Sequence, residues 1–153
     1  MKTISYRGGL ITFRVPATWK EEYQPEGGGT FYEDRPDAGT LRLNVITAKA
    51  PAGKLPSDGY SFFALKSFAK DERLTKTPHG DGMRIFKDAT EERGTKIDLY
   101  CWEIAQCIPP ETLRIATFTW TILASQSSDP KFQKEIEFLT NEISKAYFYP
   151  ELG

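Results

Sequence analysis

The sequence predicts an α+β fold, a three-layer α/β/α sandwich in which a mainly antiparallel sheet carries one main helix on each face. Three observations lead there. Met83 to Thr90, Thr95 to Cys107 and Thr112 to Ala124 are long segments rich in β-branched and aromatic residues, separated by short turn-forming loops. Two further segments, one before and one after them, keep the apolar spacing of amphipathic helices. Finally, both faces of the sheet those strands would form carry large apolar side chains, whereas a sheet wet on one side alternates apolar with polar.

Taken in order, Ser5 to Arg7 and Leu10 to Val15 read as short strands around Gly8-Gly9, and Pro16 ends the second before Trp19. Thr30 to Asp34 and Thr40 to Thr47 form the next pair, joined by the turn residues Arg35-Pro36-Asp37-Ala38-Gly39. The stretch from Ala50 to Pro56 is a loop. Ser57 is placed to cap a helix running to about Leu74, with Phe62, Leu65 and Ala69 as its apolar stripe and Phe63 and Phe68 beside it. Glu91 to Gly94 and Ile108 to Glu111 connect the three long strands. Asp129-Pro130 then opens the last helix, an acidic N-cap with proline in the first turn. Its stripe of Phe132, Ile136, Leu139, Ile143 and Ala146 marks one buried face.

Closing both hairpins as four-residue loops pairs Thr90 with Thr95 and Cys107 with Thr112. One face then carries Phe86, Ile97, Leu99, Cys101, Phe118, Trp120 and Ile122. The other carries Met83, Ile85, Tyr100, Trp102, Ile104, Ile115, Thr117, Thr119 and Thr121. This register also sets Lys87 opposite Asp98, a favourable cross-strand pair.

The 153 residues suit a single domain, 1–153, that buries roughly 70% of its unfolded-chain surface. A hydrophobic share of 39% is enough for a real core. Twenty basic and 21 acidic residues leave a net charge of −1, without the basic excess of nucleic-acid binders, so no nucleic-acid partner is expected. One histidine and two cysteines are too few for a zinc site of the usual composition. No apolar run reaches the length of a signal peptide or membrane span, which predicts a cytoplasmic protein with no membrane contact. Cys101 and Cys107 lie about 20 Å apart along one strand, too far for a disulfide, so both read as buried thiols of a reducing compartment.

Catalytic signatures are missing. Gly27-Gly28-Gly29 precedes a strand rather than a helix and lacks a following Gly-Lys-Ser/Thr, so it reads as a hairpin or bulge and not a phosphate loop. His79 could meet Asp81 and Ser57 or Ser61 as a hydrolytic triad, but there is no nucleophile elbow, and an exposed loop histidine is the simpler reading. The neighbouring acids Glu21/Glu22, Glu33/Asp34 and Glu91/Glu92 would point to opposite strand faces, as solvated charge. Glu33 to Gly39 lacks the alternating ligands of a calcium loop. The surplus is aromatic: of twenty Phe, Tyr and Trp residues, Trp19, Tyr23, Tyr32, Tyr60, Phe138 and Tyr147-Phe148-Tyr149 do not all fit the stripes. Phe138 lies about 120° off the terminal helix stripe. Aromatic patches of this kind mark interfaces.

Several short stretches resemble one family. Phe13-Arg14-Val15-Pro16-Ala17-Thr18-Trp19 is similar to the opening strand, proline and tryptophan of the PsbP-like fold. Gly39 to Val45 resembles its next core strand, and Arg114 to Trp120 with the Asp129-started helix its closing strand and helix. An extrinsic subunit of photosystem II, a Ran-binding nuclear import factor, bacterial DcrB and type VI secretion adaptors share this fold. Gly27 to Asp34 resembles small bacterial members of unknown function. The resemblance implies a non-catalytic module that docks partners, and it carries no catalytic residue set and no cofactor.

The expected function is therefore a protein-binding or adaptor module whose partner is not specified by the sequence, with self-association through a sheet edge as a further partner class. The alternative is a small-ligand binder or enzyme with its site on the sheet face. In either case the expected surface is Tyr100, Trp102, Thr117 and Thr119, an aromatic anchor with hydroxyl neighbours.

Overall fold

A computed structural model describes residues 1–51, 53–65 and 72–149. Its strands are β1 (Lys2–Tyr6), β2 (Ile11–Val15), β3 (Lys20–Tyr23), β4 (Gly29–Tyr32), β5 (Thr40–Lys49), β6 (Arg73–Lys76), β7 (Gly82–Glu92), β8 (Thr95–Ile108), β9 (Thr112–Leu123) and β10 (Tyr147–Phe148). Helix α1 (Gly59–Ala64) lies between β5 and β6, and α2 (Pro130–Ser144) between β9 and β10. Seven strands form one antiparallel sheet in the order β3-β4-β5-β9-β8-β7-β6, and β1-β2-β10 form a second, smaller sheet. The α+β class and the sandwich are as expected. Short β3, β6 and β10 are additions whose few residues carry too little alternation to stand out.

The layers are unequal. On one face of the large sheet lie α2 and the small sheet, and between them sits a continuous core that includes Ile11, Phe13, Phe31, Leu41, Trp102, Phe118, Trp120, Leu139 and Phe148. Phe13 packs edge-on against both Phe31 and Phe118, at 5.3 and 5.1 Å between ring centroids, which ties the small sheet to β4 and β9. Asp129 caps α2 by accepting from the Lys131 amide at 2.9 Å, with Pro130 in the first turn. Its predicted stripe is buried at Phe132, Leu139, Ile143 and Ala146, while Ile136 is partly buried. Glu142, buried on the same helix, is paired with Arg14 of β2 at 3.3 Å.

Helix α1 occupies the opposite face, at the β7–β8 end. It differs from its predicted form. Asp58 rather than Ser57 is the cap, accepting from the Ser61 amide at 2.7 Å. The helix closes at Leu65, and Leu74 belongs to β6; Phe68 and Ala69 lie outside the described residues. Gly59 sets the helix's rotation, because its backbone abuts strand β8: a Cβ there would fall 1.8 Å from the Ala105 carbonyl oxygen. Phe63, one turn on, is thereby buried, whereas Leu65 of the expected stripe is 79% exposed.

Both long hairpins also depart from the predicted register. The β7–β8 loop is the two residues Arg93 and Gly94, both at positive φ (51° and 82°), so Glu92 pairs with Thr95. Such a tight turn matches the right-handed twist of the strands. Lys87 consequently faces Tyr100, and its ion pair with Asp98, at 3.3 Å, forms on the diagonal. The β8–β9 loop holds three residues, so Ile108 pairs with Thr112 and Cys107 with Leu113. That shift of one residue exchanges the faces of β9 relative to β8.

Candidate functional site

The exchange separates the four residues expected to form one surface. Trp102 lies opposite Phe118, whereas Thr117 and Thr119 lie opposite Glu103 and Cys101. Residues paired across strands share a face, so Tyr100 and Trp102 point into the α2 side and the two threonines point away from it. Trp102 is 1% exposed, and its indole N–H donates to Thr140 Oγ1 at 3.0 Å. It is a core residue with its polar group satisfied and offers no surface. Tyr100 is half-buried beside it, its hydroxyl donating to Ser127 Oγ at 3.4 Å.

Thr117 and Thr119 instead line a groove of about 780 Å³ on the far side of the sheet, with Thr30, Arg42 and Asn44. Among the described residues, α1 is the only helix on this face, and it packs on β6, β7 and β8 rather than on β4 or β5. Arg42 donates to Thr121 Oγ1 at 3.3 Å, and Gln24 Nε2 to Thr30 Oγ1 at 3.3 Å. Gly27 and Gly28, in the β3–β4 hairpin loop, and Gly29, which opens β4, form the groove's rim, so the triplet is part of a hairpin as expected. Gly27 and Gly28 take φ of 108° and 103°, and the Gly28 amide donates to the Tyr6 hydroxyl at 2.8 Å.

A second concavity, of about 600 Å³, joins two of the surplus aromatics, Trp19 and Phe138. Trp19 closes the turn after β2, its amide donating to the Pro16 carbonyl at 3.1 Å. Its indole stacks on Trp120 of β9, with ring planes 8° apart and centroids 5.6 Å apart. Glu135, on α2, contributes a carboxylate that no sequence pattern singled out. Arg35 donates to Glu135 Oε1 at 3.3 Å and is itself held by Glu33 at 2.7 Å. Burial pushes the Glu135 carboxyl up, and its Oε2 is enclosed without a hydrogen-bond partner. The available signal was spacing: Lys131, Lys134, Glu135 and Phe138 follow i, i+3, i+4, i+7 on a face beside the core stripe.

The remaining sequence candidates resolve as follows. His79 is exposed, its Nε2 3.3 Å from the Lys145 carbonyl oxygen and its ring edge-on to Tyr147. Asp81 is buried, and that burial pushes its carboxyl up to about 6 against the opposing pull of His79. Cys101 and Cys107 are both free thiols, the first buried and the second half-buried, and burial raises both. Among the described residues no helix is long and apolar enough to cross a membrane.

No protein-family model matches the chain, and neither does any curated protein. Solved structures do. One, from Bacteroides thetaiotaomicron, is 18% identical with a TM-score of 0.64 over 98% of this chain and 49% of its own. The chain thus spans about half the length of that neighbour. Another, LpqN of Mycobacterium tuberculosis, described as involved in cell envelope biogenesis, is 11% identical with a TM-score of 0.64. That match covers 92% of this chain and 83% of LpqN. Both neighbours are bacterial proteins of the same kind of fold, and at these identities the likeness extends to the fold alone.

Proposed function

We propose that this chain is a non-catalytic binding module that docks a protein partner on the uncovered part of its large sheet. The observation that carries this reading is the unequal covering of the sheet, whose face opposite α2 carries α1 over β6, β7 and β8 and, among the described residues, no helix over β4 and β5. One face is packed under α2 and the small sheet, while β4, β5 and β9 present Thr30, Arg42, Asn44, Thr117 and Thr119 on the other. Ile46, on the same face of β5, is 58% exposed and adds an apolar contact at the border. Hydroxyl and amide groups held on a rigid sheet suit a polypeptide surface rich in donors and acceptors, and Arg42 favours a carboxylate on the partner. The PsbP-like resemblance in element order supports the same kind of role, and the two free thiols are in keeping with a cytoplasmic location. LpqN's description names a process and no chemistry, so the partner is argued from the surface alone.

Photo-crosslinking tests this. A photoreactive residue is placed at Thr117 or Thr119, with a control at Glu91 on the exposed β7–β8 hairpin, and the chain is irradiated in its native host. The expected result is one heterologous protein adduct from the two sheet positions, absent from the control and lost when Arg42→Glu is added. Equal labelling from all three positions, or adducts only to second copies of the chain, would overturn the reading.

A further inference from the structure

The outer edge of β7 is covered for only part of its length. Strand β6 pairs with Gly82 to Ile85 and stops at Arg73, and among the described residues no strand lies beside Phe86 to Glu92. Lys87 to Glu92 are all exposed. Glu92 and Thr95 flank the two-residue turn, which makes them a hydrogen-bonded pair. Alternation along the ladder then turns the backbone groups of Phe86, Asp88 and Thr90 to β8, and those of Lys87, Ala89 and Glu91 to the open edge. The Ala89 amide, with no strand to meet, donates to Asp88 Oδ1 at 2.8 Å. An open row of such groups is a template for another strand.

Charge on this edge is arranged about Ala89. Lys87 and Glu91 stand on either side of it, on the sheet face that carries Tyr100. Antiparallel pairing of two copies centred on Ala89 therefore sets Lys87 of each opposite Glu91 of the other, a favourable cross-strand pair. Centring on Asp88 would oppose Asp88 to Asp88, and centring on Thr90 would oppose Asp88 to Glu92, both like-charged. Within the chain Glu91 lies across from Lys96 but forms no ion pair among the described residues. Lys87 is held on one side by Asp98 at 3.3 Å, and half of its side chain stays exposed for a second carboxylate. Arg73, opposite Ile85 and so one pleat along from Lys87, is exposed and forms no ion pair among the described residues. Arg73 and Lys87 border a notch of about 200 Å³, and Glu91 of a second copy arrives at its mouth.

We propose that two copies of this chain join by antiparallel pairing of their β7 edges about Ala89, forming one continuous sheet across a two-fold axis. The Ala89 amide then exchanges Asp88 for the Ala89 carbonyl of the second copy, and Asp88 meets the Thr90 hydroxyl across the interface. A contact between strand edges is smaller than the roughly 1,200–2,000 Å² of a standard interface, so the expected dissociation constant is high, about 0.1 mM. The groove over β4, β5 and β9 lies at the other flank of the sheet, and neither surface depends on the other.

Sedimentation equilibrium over about 0.01–1 mM chain is expected to show a monomer–dimer equilibrium that weakens as salt rises. Glu91→Lys should weaken it about tenfold or more, and adding Lys87→Glu, which restores opposite charges, should recover most of the loss. The NMR amide spectrum reports that each variant is folded. Oxidation of Ala89→Cys supplies a second measure. Its thiols meet across the two-fold axis with Cα atoms about 5.5 Å apart, within disulfide range, whereas those of Thr90→Cys lie about 8 Å apart and outside it. Ala89→Cys should form a covalent dimer readily, while Thr90→Cys and the parent, with its own Cys101 and Cys107, should not. A strictly monomeric chain at about 1 mM would overturn the proposal. So would a dimer indifferent to Glu91→Lys, or Thr90→Cys crosslinking as fast as Ala89→Cys, since either outcome puts the contact elsewhere.

Discussion

Trp19 stacks on Trp120 only because position 39 has no side chain: a Cβ on Gly39 would come within 2.1 Å of the Trp120 ring. The close approach of a turn backbone to a core indole therefore holds the floor of the Trp19–Phe138 cleft. Gly39→Ala should push Trp120 off its position and cost about 1–3 kcal/mol, the usual range for overpacking a core. Chemical denaturation measures the loss, and near-ultraviolet circular dichroism should register the altered indole stack. A variant as stable as the parent with an unchanged spectrum would contradict this.

Trp102 is expected to behave as a core residue. Trp102→Ala should destabilise the chain by about 3–5 kcal/mol, and Trp102→Phe, which keeps much of the ring but loses the donor to Thr140, by less. Thr140 Oγ1 also donates to the Ile136 carbonyl at 2.8 Å, so it keeps one partner when the indole is removed. Equilibrium unfolding of both variants checks the order. An alanine variant close to wild-type stability would show that the indole is not packed as described.

Asp81 should make stability fall as pH rises. Its folded pKa of about 6 lies above the ordinary 3.8, so between those values the folded state holds the proton more tightly than the unfolded chain. The resulting stabilisation is complete below the unfolded value and is lost as pH climbs through about 6. Asp81→Asn removes this dependence. The variant should therefore gain on the parent in melting temperature at pH ~7.5 relative to pH ~4.5, by up to about 2–3 kcal/mol in free energy. A difference between the two proteins that is flat with pH would contradict the assignment.

Gly59→Ala should lift α1 off the sheet, because the new methyl would meet the Ala105 carbonyl and the Gly82 backbone. Neither neighbour is a flexible side chain that could give way. The effect should be local: faster hydrogen exchange in α1, β6 and the Gly82 end of β7, with protection in α2 and the small sheet retained. Uniform loss of protection across the chain would show that α1 is integral to the main core instead.

Much of this architecture is written in local patterns. The α2 stripe is legible because Phe132, Leu139 and Ile143 recur with the helical period, and Asp129-Pro130 is a start signal carried by two adjacent residues. The three long strands are legible from their β-branched and aromatic content, and the two-sided sandwich from apolar residues on both faces. Even Phe138 announced itself by falling off the stripe, and the tertiary structure explains it as a wall of the cleft.

Register was not legible in the same way, and the site depended on it. Arg93-Gly94 turns the chain in two residues by placing a non-glycine at positive φ, which composition does not advertise. Shortening the β8–β9 loop from four residues to three moved Thr117 and Thr119 to the face opposite Trp102. The side-chain period of a strand is two, so an error of one residue inverts a face while an error of two, as at Lys87 and Asp98, leaves it unchanged. Glu135 beside Trp19, like Gly59 against Ala105, joins residues far apart in the chain. Sequence alone determined the long strands, the terminal helix and which residues are apolar, but not the short strands β3, β6 and β10 or the end of α1. Only the tertiary structure decided which side chains meet, because loop length and backbone approach are settled by the packing of the whole domain.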